Sequence, residues 1–268
     1  MTERLELDEP FRHTNPDGTR WYEFEGKRYI GVTSIEDVAG MAPGLVNWQL
    51  RQYMGAAAAD PALVLDQEAW EAAAMADRNM RMERGTRVHN AIAEGISSSD
   101  KAYEDIAGWL RQWEAFCDDY NVTVLMSERR VVNPTLRFAG TVDLLLAMKD
   151  FKYPVLLDIK TSKRLNVSHA MQVRQYSTCP IVVARDYRSV DEEASALYRS
   201  HQDTGLLRLG PRSWELAIVR TDLDDIWEAR LRYAHGLLTY PYFNDWLKDK
   251  ENAEQDQTDS QNAGKAVG

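Results

Sequence analysis

Residues 138–176 read FAGTVDLLLAMKDFKYPVLLDIKTSKRLNVSHAMQVRQY, and their pattern decides the fold. Two apolar runs, Val142 to Met148 and Val155 to Ile159, flank a polar turn at Lys149 to Pro154. Short apolar runs bounded by turn residues predict paired strands, here a hairpin. Each run carries one aspartate where an apolar residue is expected, Asp143 in the first and Asp158 in the second. Side chains alternate along a strand, so Asp158 and Lys160 project from one face. A carboxylate in an apolar strand is costly unless it is paired or holds a cation. Two readings follow. Either Asp158 and Lys160 form an ion pair at a sheet edge while Asp143 caps a strand end, or the two carboxylates converge on a hard divalent cation with an amine beside it.

The surrounding residues bear on that choice. Gly140 stands three before Asp143, and Gln172 and Tyr176 have the i,i+4 spacing that shares one helical face. Ser168 is placed to cap that helix. Upstream lie Gly85-Thr-Arg-Val-His89 and a lone Glu128 ahead of Val131-Val132. Glu128 reads as an exposed strand residue, a carboxylate near a metal, or a partner that orients a basic group.

In order, these residues are G-x-x-x-H, a strand glutamate, G-x-x-D, D-x-K and Q-x-x-x-Y. The series resembles the PD-(D/E)XK nuclease superfamily in its RecB-like exonuclease branch. The resemblance covers about the middle third of the chain. Val32-Thr-Ser-Ile35 is also similar to the lead-in of phage and mitochondrial genome-maintenance exonucleases. The resemblance implies a metal-dependent DNA exonuclease that hydrolyses phosphodiester bonds in phage or bacterial recombination and repair. It assigns catalysis to Asp143, Asp158 and Lys160 with Glu128, Gln172 and Tyr176. It assigns Mg²⁺ or Mn²⁺ to His89, Asp143, Asp158 and the Ile159 carbonyl. Lys160 would orient or deprotonate the attacking water, its pKa lowered by burial and the metal. The implied partners are DNA, as single strands or free ends, and a helicase, recombinase or single-strand-binding protein. A catalytically silent nuclease-fold module binding DNA or a recombination partner is the alternative. A purely structural protein, in which the same residues form ordinary ion pairs, is a third class.

Composition bounds the rest. The chain has 268 residues, 44% of them hydrophobic and 28% charged, which is ordinary for a soluble protein. No apolar run approaches membrane-span length, and the start MTERLELDEP lacks a secretory pattern. The expected setting is therefore the cytoplasm of a bacterium or phage-infected cell, away from membranes. The two cysteines, Cys117 and Cys179, are far apart, which excludes a disulfide framework and the four-cysteine iron–sulfur cluster of some relatives. Cys117 lies on an apolar helical stripe and is expected to be a buried thiol. The net charge of −10 argues against nonspecific coating of DNA, although local patches govern a site's field.

The expected fold class is α/β (α+β): a central mixed β-sheet flanked by helices, a restriction-endonuclease-like core with a helical N-terminal part. Residues 1–84 are read as an N-terminal hairpin and helices, 85–248 as the nuclease core, and 249–268 as a disordered acidic tail. Arg20 to Thr33 alternate around Glu25-Gly26 as a hairpin. A short helix follows the turn at Met41 to Gly44, then an Ala-rich helix over roughly 66–80. Gly85-Thr86 would open or re-aim the helix that carries His89. Tyr103 to Tyr120 has the clearest helical stripe. Val122 to Met126 and Arg129 to Val132 read as strand around Glu128. A short helix over 191–199, a second hairpin over 206–219 and a last helix over 222–238, capped by Asp222, complete the chain. Arg78, Arg81, Arg84 and Arg87 recur at three-residue spacing, either as a solvated helix surface or as phosphate contacts. Arg84, Arg87, Arg130, Lys163 and Arg164 are the expected nucleic-acid contacts.

Overall fold

The computed structural model describes residues 12–14, 20–37, 43–219 and 224–239. The acidic tail, Asp222 and the turn residues 41–42 lie outside them. The elements in chain order are β1 (Arg12–Thr14), β2 (Arg20–Phe24), β3 (Lys27–Gly31), α1 (Val32–Asp37), α2 (Pro43–Ala59) and α3 (Gln67–Ala93). Then come α4 (Ala107–Tyr120), β4 (Thr123–Asn133), β5 (Phe138–Ala147), β6 (Val155–Lys160) and α5 (Val167–Ser177). The chain closes with β7 (Ile181–Val182), α6 (Glu192–Tyr198), β8 (Asp203–Leu209), β9 (Trp214–Val219) and α7 (Asp224–Thr239). This is a mixed α/β fold: one nine-stranded sheet of parallel and antiparallel strands, flanked by helices. Among the described residues, no helix is long and apolar enough to cross a membrane.

Both predicted hairpins flanking the core form. β2 and β3 are joined at Glu25 and Gly26, whose φ values of 51° and 67° fit a tight hairpin turn with two left-handed residues. β8 and β9 pair antiparallel from Thr204↔Val219 to Leu209↔Trp214. The decisive hairpin, β5–β6, is antiparallel as the apolar runs imply, with Leu144 opposite Leu157 and Leu146 opposite Val155.

How β5 is shared positions the site. One edge of β5 is covered along its length by β4. The other edge is divided: β3 pairs parallel with Phe138 and Ala139, while β6 pairs antiparallel with Leu144 to Leu146. Between them, residues 140–143 have no strand on that edge among the described residues. A gap in the ladder leaves backbone groups and side chains facing a cleft rather than a neighbour.

Apolar clusters fill both faces of the sheet. One joins α1, α5, α6 and α7 through Ile35, Met171, Tyr198 and Trp227. The other joins the end of α3 to α4 through Val88, Ile92, Leu110 and Phe116. Val142 and Leu145, three apart, both enter the first cluster, and so do Met126 and Val131, five apart. Strict alternation would send such pairs to opposite faces. Both strands therefore change phase between these residues, around Glu128 on β4 and Asp143 on β5. Glu128 has φ 49°, a left-handed conformation that breaks the pleat there.

Several local expectations change. α3 runs unbroken from Gln67 to Ala93, so Gly85 neither opens nor re-aims it. A Cβ at Gly85 would stand 3.0 Å from Thr161 Oγ1, so the glycine lets the helix approach the loop after Lys160. The division drawn at residues 84 and 85 falls inside this helix, and the N-terminal hairpin is part of the same sheet through β3. The stripe from Tyr103 is not one helix: residues 101–106 form a 3₁₀ segment with Tyr103 at φ −120°, and α4 starts at Ala107. Asn166, not Ser168, caps α5, accepting from the His169 backbone N–H in a capping box. It stands two residues nearer the loop, at the position where a side-chain oxygen meets the third helical N–H. Cys117 is half-buried, while Cys179 is buried.

Candidate metal centre and nucleic-acid cleft

The site is built where β4, β5 and β6 lie side by side. The β4–β5 register places Glu128 across from Asp143, between the pairs Ser127↔Leu144 and Arg129↔Val142. One step beyond Leu144↔Leu157, the β5–β6 register places Asp143 across from Asp158. Three carboxylates thus stand in a row across three strands, at the gap in the β5 edge. There Asp143 Oδ2 accepts from the Ile159 backbone N–H at 2.7 Å, replacing the missing ladder bond. This explains why an aspartate is tolerated in the apolar run of β5.

α3 adds the histidine. His89 Nδ1 lies 3.4 Å from Asp143 Oδ2. One donor atom each from His89, Glu128 and Asp143 fall within 4.8 Å of one another. On β6, Lys160 Nζ is 2.6 Å from Asp158 Oδ2, as alternation requires, and donates to Gln172 Oε1 at 2.8 Å. Gln172 Nε2 then donates to the Tyr176 hydroxyl at 3.2 Å, so the helical pair on α5 forms one chain with the lysine. Tyr176 lies against Gly140, where a Cβ would come within 2.5 Å of its ring. The glycine of G-x-x-D therefore makes room for the tyrosine of Q-x-x-x-Y.

Burial and charge set the proton affinities. Burial pushes Glu128 up to about 7, aided by the Asp143 carboxylate and opposed by His89 and Arg130. Asp158, only 2% exposed, is pushed up to about 6 by burial, which Lys160 only partly offsets. Burial acts on Asp143 in the same direction, but His89, Lys160 and the Ile159 N–H outweigh it and leave its pKa lowered. Burial favours neutral His89, yet Asp143 raises its pKa above the ordinary value, with help from Asp158 and Glu128. Lys160 departs from expectation. Burial does act to lower it, but Asp158 and Asp143 prevail and its pKa is raised. It is an ammonium held between a carboxylate and an amide oxygen.

This donor set fits a hard divalent ion. Glu128 and Asp143 offer oxygens and His89 a ring nitrogen from a compact group, and the raised pKa of Glu128 marks negative charge without enough compensation. Asp158 stands beside this group but is engaged by Lys160. Ile159 lines the same cleft.

The cleft over these residues has a volume of about 2280 Å³. Ten arginines and lysines line it against four aspartates and glutamates, although the whole chain carries −10. Of the residues expected to contact nucleic acid, Arg84, Arg130 and Lys163 line it. Arg84 also stacks its guanidinium over the Trp109 ring at 4.8 Å, and Arg130 donates to Thr141 Oγ1 at 2.7 Å. Arg87 is directed elsewhere, over the Tyr103 ring and 3.2 Å from Asp105. Arg164 is not among the cleft residues. Arg78 and Arg81 do line it, which gives two of the recurring arginines a place beside the site. Sequence reasoning missed Arg12, Arg20, Arg185, Arg188 and Trp48. They come from distant segments, and no local pattern separates them from exposed residues elsewhere. No family model matches the chain, and no curated protein matches it.

Proposed function

We propose that the chain is a divalent-metal-dependent deoxyribonuclease, an exonuclease of the PD-(D/E)XK superfamily in its RecB-like branch. The observation that carries this reading is the row Glu128, Asp143 and Asp158 with His89 and Lys160 beside it, all of them except buried Asp158 lining a cationic cleft. Phosphodiester hydrolysis needs a positioned water, neutralisation of charge on the phosphoryl oxygens and stabilisation of the leaving oxygen. His89, Glu128 and Asp143, with Asp158 and Ile159 adjacent, would hold Mg²⁺ or Mn²⁺, which would supply positive charge to the phosphoryl group. Lys160, charged and fixed by Asp158 and Gln172, orients the water or a phosphate oxygen. Gln172 and Tyr176 hold the lysine's direction. The lining arginines draw the anionic backbone towards the site.

The silent-module reading has one observation in its favour. The 2.6 Å pairing of Lys160 with Asp158 gives each a partner of opposite charge without any ion, although it only partly offsets the burial of Asp158. Digestion of end-labelled single- and double-stranded DNA in Mg²⁺, Mn²⁺ or EDTA separates the two. The nuclease reading expects metal-dependent cleavage that falls by about 10²-fold or more in Lys160→Ala. Its product ladder would report polarity. Absence of cleavage by the folded protein with either metal, or full activity in Lys160→Ala, refutes it.

A further inference from the structure

Beyond the carboxylates, the cleft is also lined by residues 185–188. Between β7 and α6 the chain turns back on itself in a small hairpin. Val183 bridges Val190, and Ala184 N–H donates to the Ser189 carbonyl at 2.8 Å. Asp186 braces the tip by accepting from the Arg188 and Ser189 backbone N–H groups at 2.9 and 3.2 Å and from the Ser189 hydroxyl. Tyr187, at φ 59°, completes the bend. The tip presents Arg185 and Arg188, both exposed and both lining the cleft. Neither side chain has an ion-pair partner within 4 Å among the described residues, although Arg188 acts through space on Asp186 and Arg185 on Asp191.

Arg78 of α3 also lines the cleft without such a partner. Trp48 of α2 lines the same cleft, half-buried, and belongs to no apolar core cluster among the described residues. It makes no ring pair or hydrogen bond among the described residues, unlike Tyr53 and Trp70, which lock the same two helices edge to face. An unpaired indole in a cleft whose cations stand outside any close ion pair is what an unpaired base and its phosphate require. A duplex hides its bases and offers no face to stack.

We propose that the cleft grips a single-stranded polynucleotide, with phosphates held by Arg185 and Arg188 of the hairpin and Arg78 of α3 and a base stacked on Trp48. Its place as a substrate rests on the nuclease reading, but the grip itself needs no metal. The test is fluorescence anisotropy of the full chain in EDTA with labelled oligo(dT), oligo(U) and a duplex of equal length, over a range of salt. The single strands are expected to bind about tenfold or more tightly than the duplex. The Arg185→Ala/Arg188→Ala variant is expected to bind about tenfold more weakly and to flatten the log–log salt slope by about 1.4, from about 0.7 per lost phosphate contact. Trp48→Ala is expected to lose about fivefold or more at an unchanged slope, and Trp48→Phe to recover most of it. Comparison of oligo(dT) with oligo(U) decides between DNA and RNA. Equal binding of duplex, or a double arginine variant with wild-type affinity and slope, overturns the grip; wild-type binding by Trp48→Ala overturns the platform. Binding without cleavage in Mg²⁺ or Mn²⁺ leaves the grip standing and removes the nuclease reading. Cleavage with no effect of these variants does the reverse.

Discussion

Glu128 is the residue on which the candidate metal centre turns, because burial and the Asp143 carboxylate act together against its charged form. Its pKa of about 7 and that of Asp158 at about 6 both lie above the ordinary carboxylate values of 4.5 and 3.8. The sign follows from linkage. A raised carboxylate pKa adds stability that is complete below the unfolded value and is lost as pH rises to the folded one. The metal-free protein should therefore lose stability between about pH 4 and 7, and His89, also raised, extends the loss above its ordinary 6.5. Asp143, lowered, acts oppositely and only in stronger acid. Thermal melts in EDTA should show Glu128→Gln more stable than wild type at pH 8 and flatter below pH 7. Mg²⁺ or Mn²⁺ should raise the melting temperature of wild type more than that of the variant. Parallel melting profiles for the two proteins would show that Glu128 does not carry this charge. Asp143 and Asp158 were legible in the sequence because a carboxylate in an apolar strand is conspicuous. The raised pKa of Lys160 was not, since it depends on how closely Asp158 and Asp143 approach.

Among the elements, two glycines show how packing joins motifs that are distant in sequence. Gly140 lies under the Tyr176 ring, and a methyl group there would meet it at 2.5 Å. Gly140→Ala should destabilise the protein by about 1–3 kcal/mol through overpacking, and the displaced Tyr176 should disturb Gln172 and Lys160. Gly85 is different. It sits inside α3, where alanine gains about 0.5–1 kcal/mol of helix preference, and its neighbour is the hydroxyl of Thr161 at 3.0 Å. Gly85→Ala should leave stability nearly unchanged and alter any cleavage activity through the loop after Lys160. Paired melting curves and digestion rates for the two variants check this contrast. Helix α3 was read as a shorter Ala-rich segment because a mid-helix glycine normally signals a break. Its tolerance here comes from the tertiary contact, which local propensity cannot report.

For the whole molecule, the N-terminal segment and the carboxylate strands form one unit. β3 pairs with the start of β5, and Ile30, Val32 and Ile35 share an apolar cluster with Phe138, Met171 and Trp227. A fragment beginning at residue 85 would cut α3 in its middle and expose that cluster. It should fail to melt cooperatively in circular dichroism, whereas the full chain should show a cooperative transition. A folded fragment with a sharp transition would contradict this. Charge is distributed on the same scale. The chain is acidic overall, yet its cleft collects ten basic side chains against four acidic ones. Net charge alone therefore misrepresents the field that a polyanion would meet at the site.

The sequence by itself determined the β5–β6 hairpin, the helix-and-sheet class, and the shared faces of Asp158 with Lys160 and of Gln172 with Tyr176. Each of these rests on period or spacing within a short segment, where backbone geometry dictates which side chains share a face. Only the tertiary structure decided that Glu128 stands opposite Asp143, that the β5 edge is left open at residues 140–143, and that Arg185, Arg188 and Trp48 reach the same cleft. Those facts depend on strand neighbours and on contacts between segments far apart in the chain. Register and packing are set by the summed burial of both sheet faces, a quantity no local pattern contains.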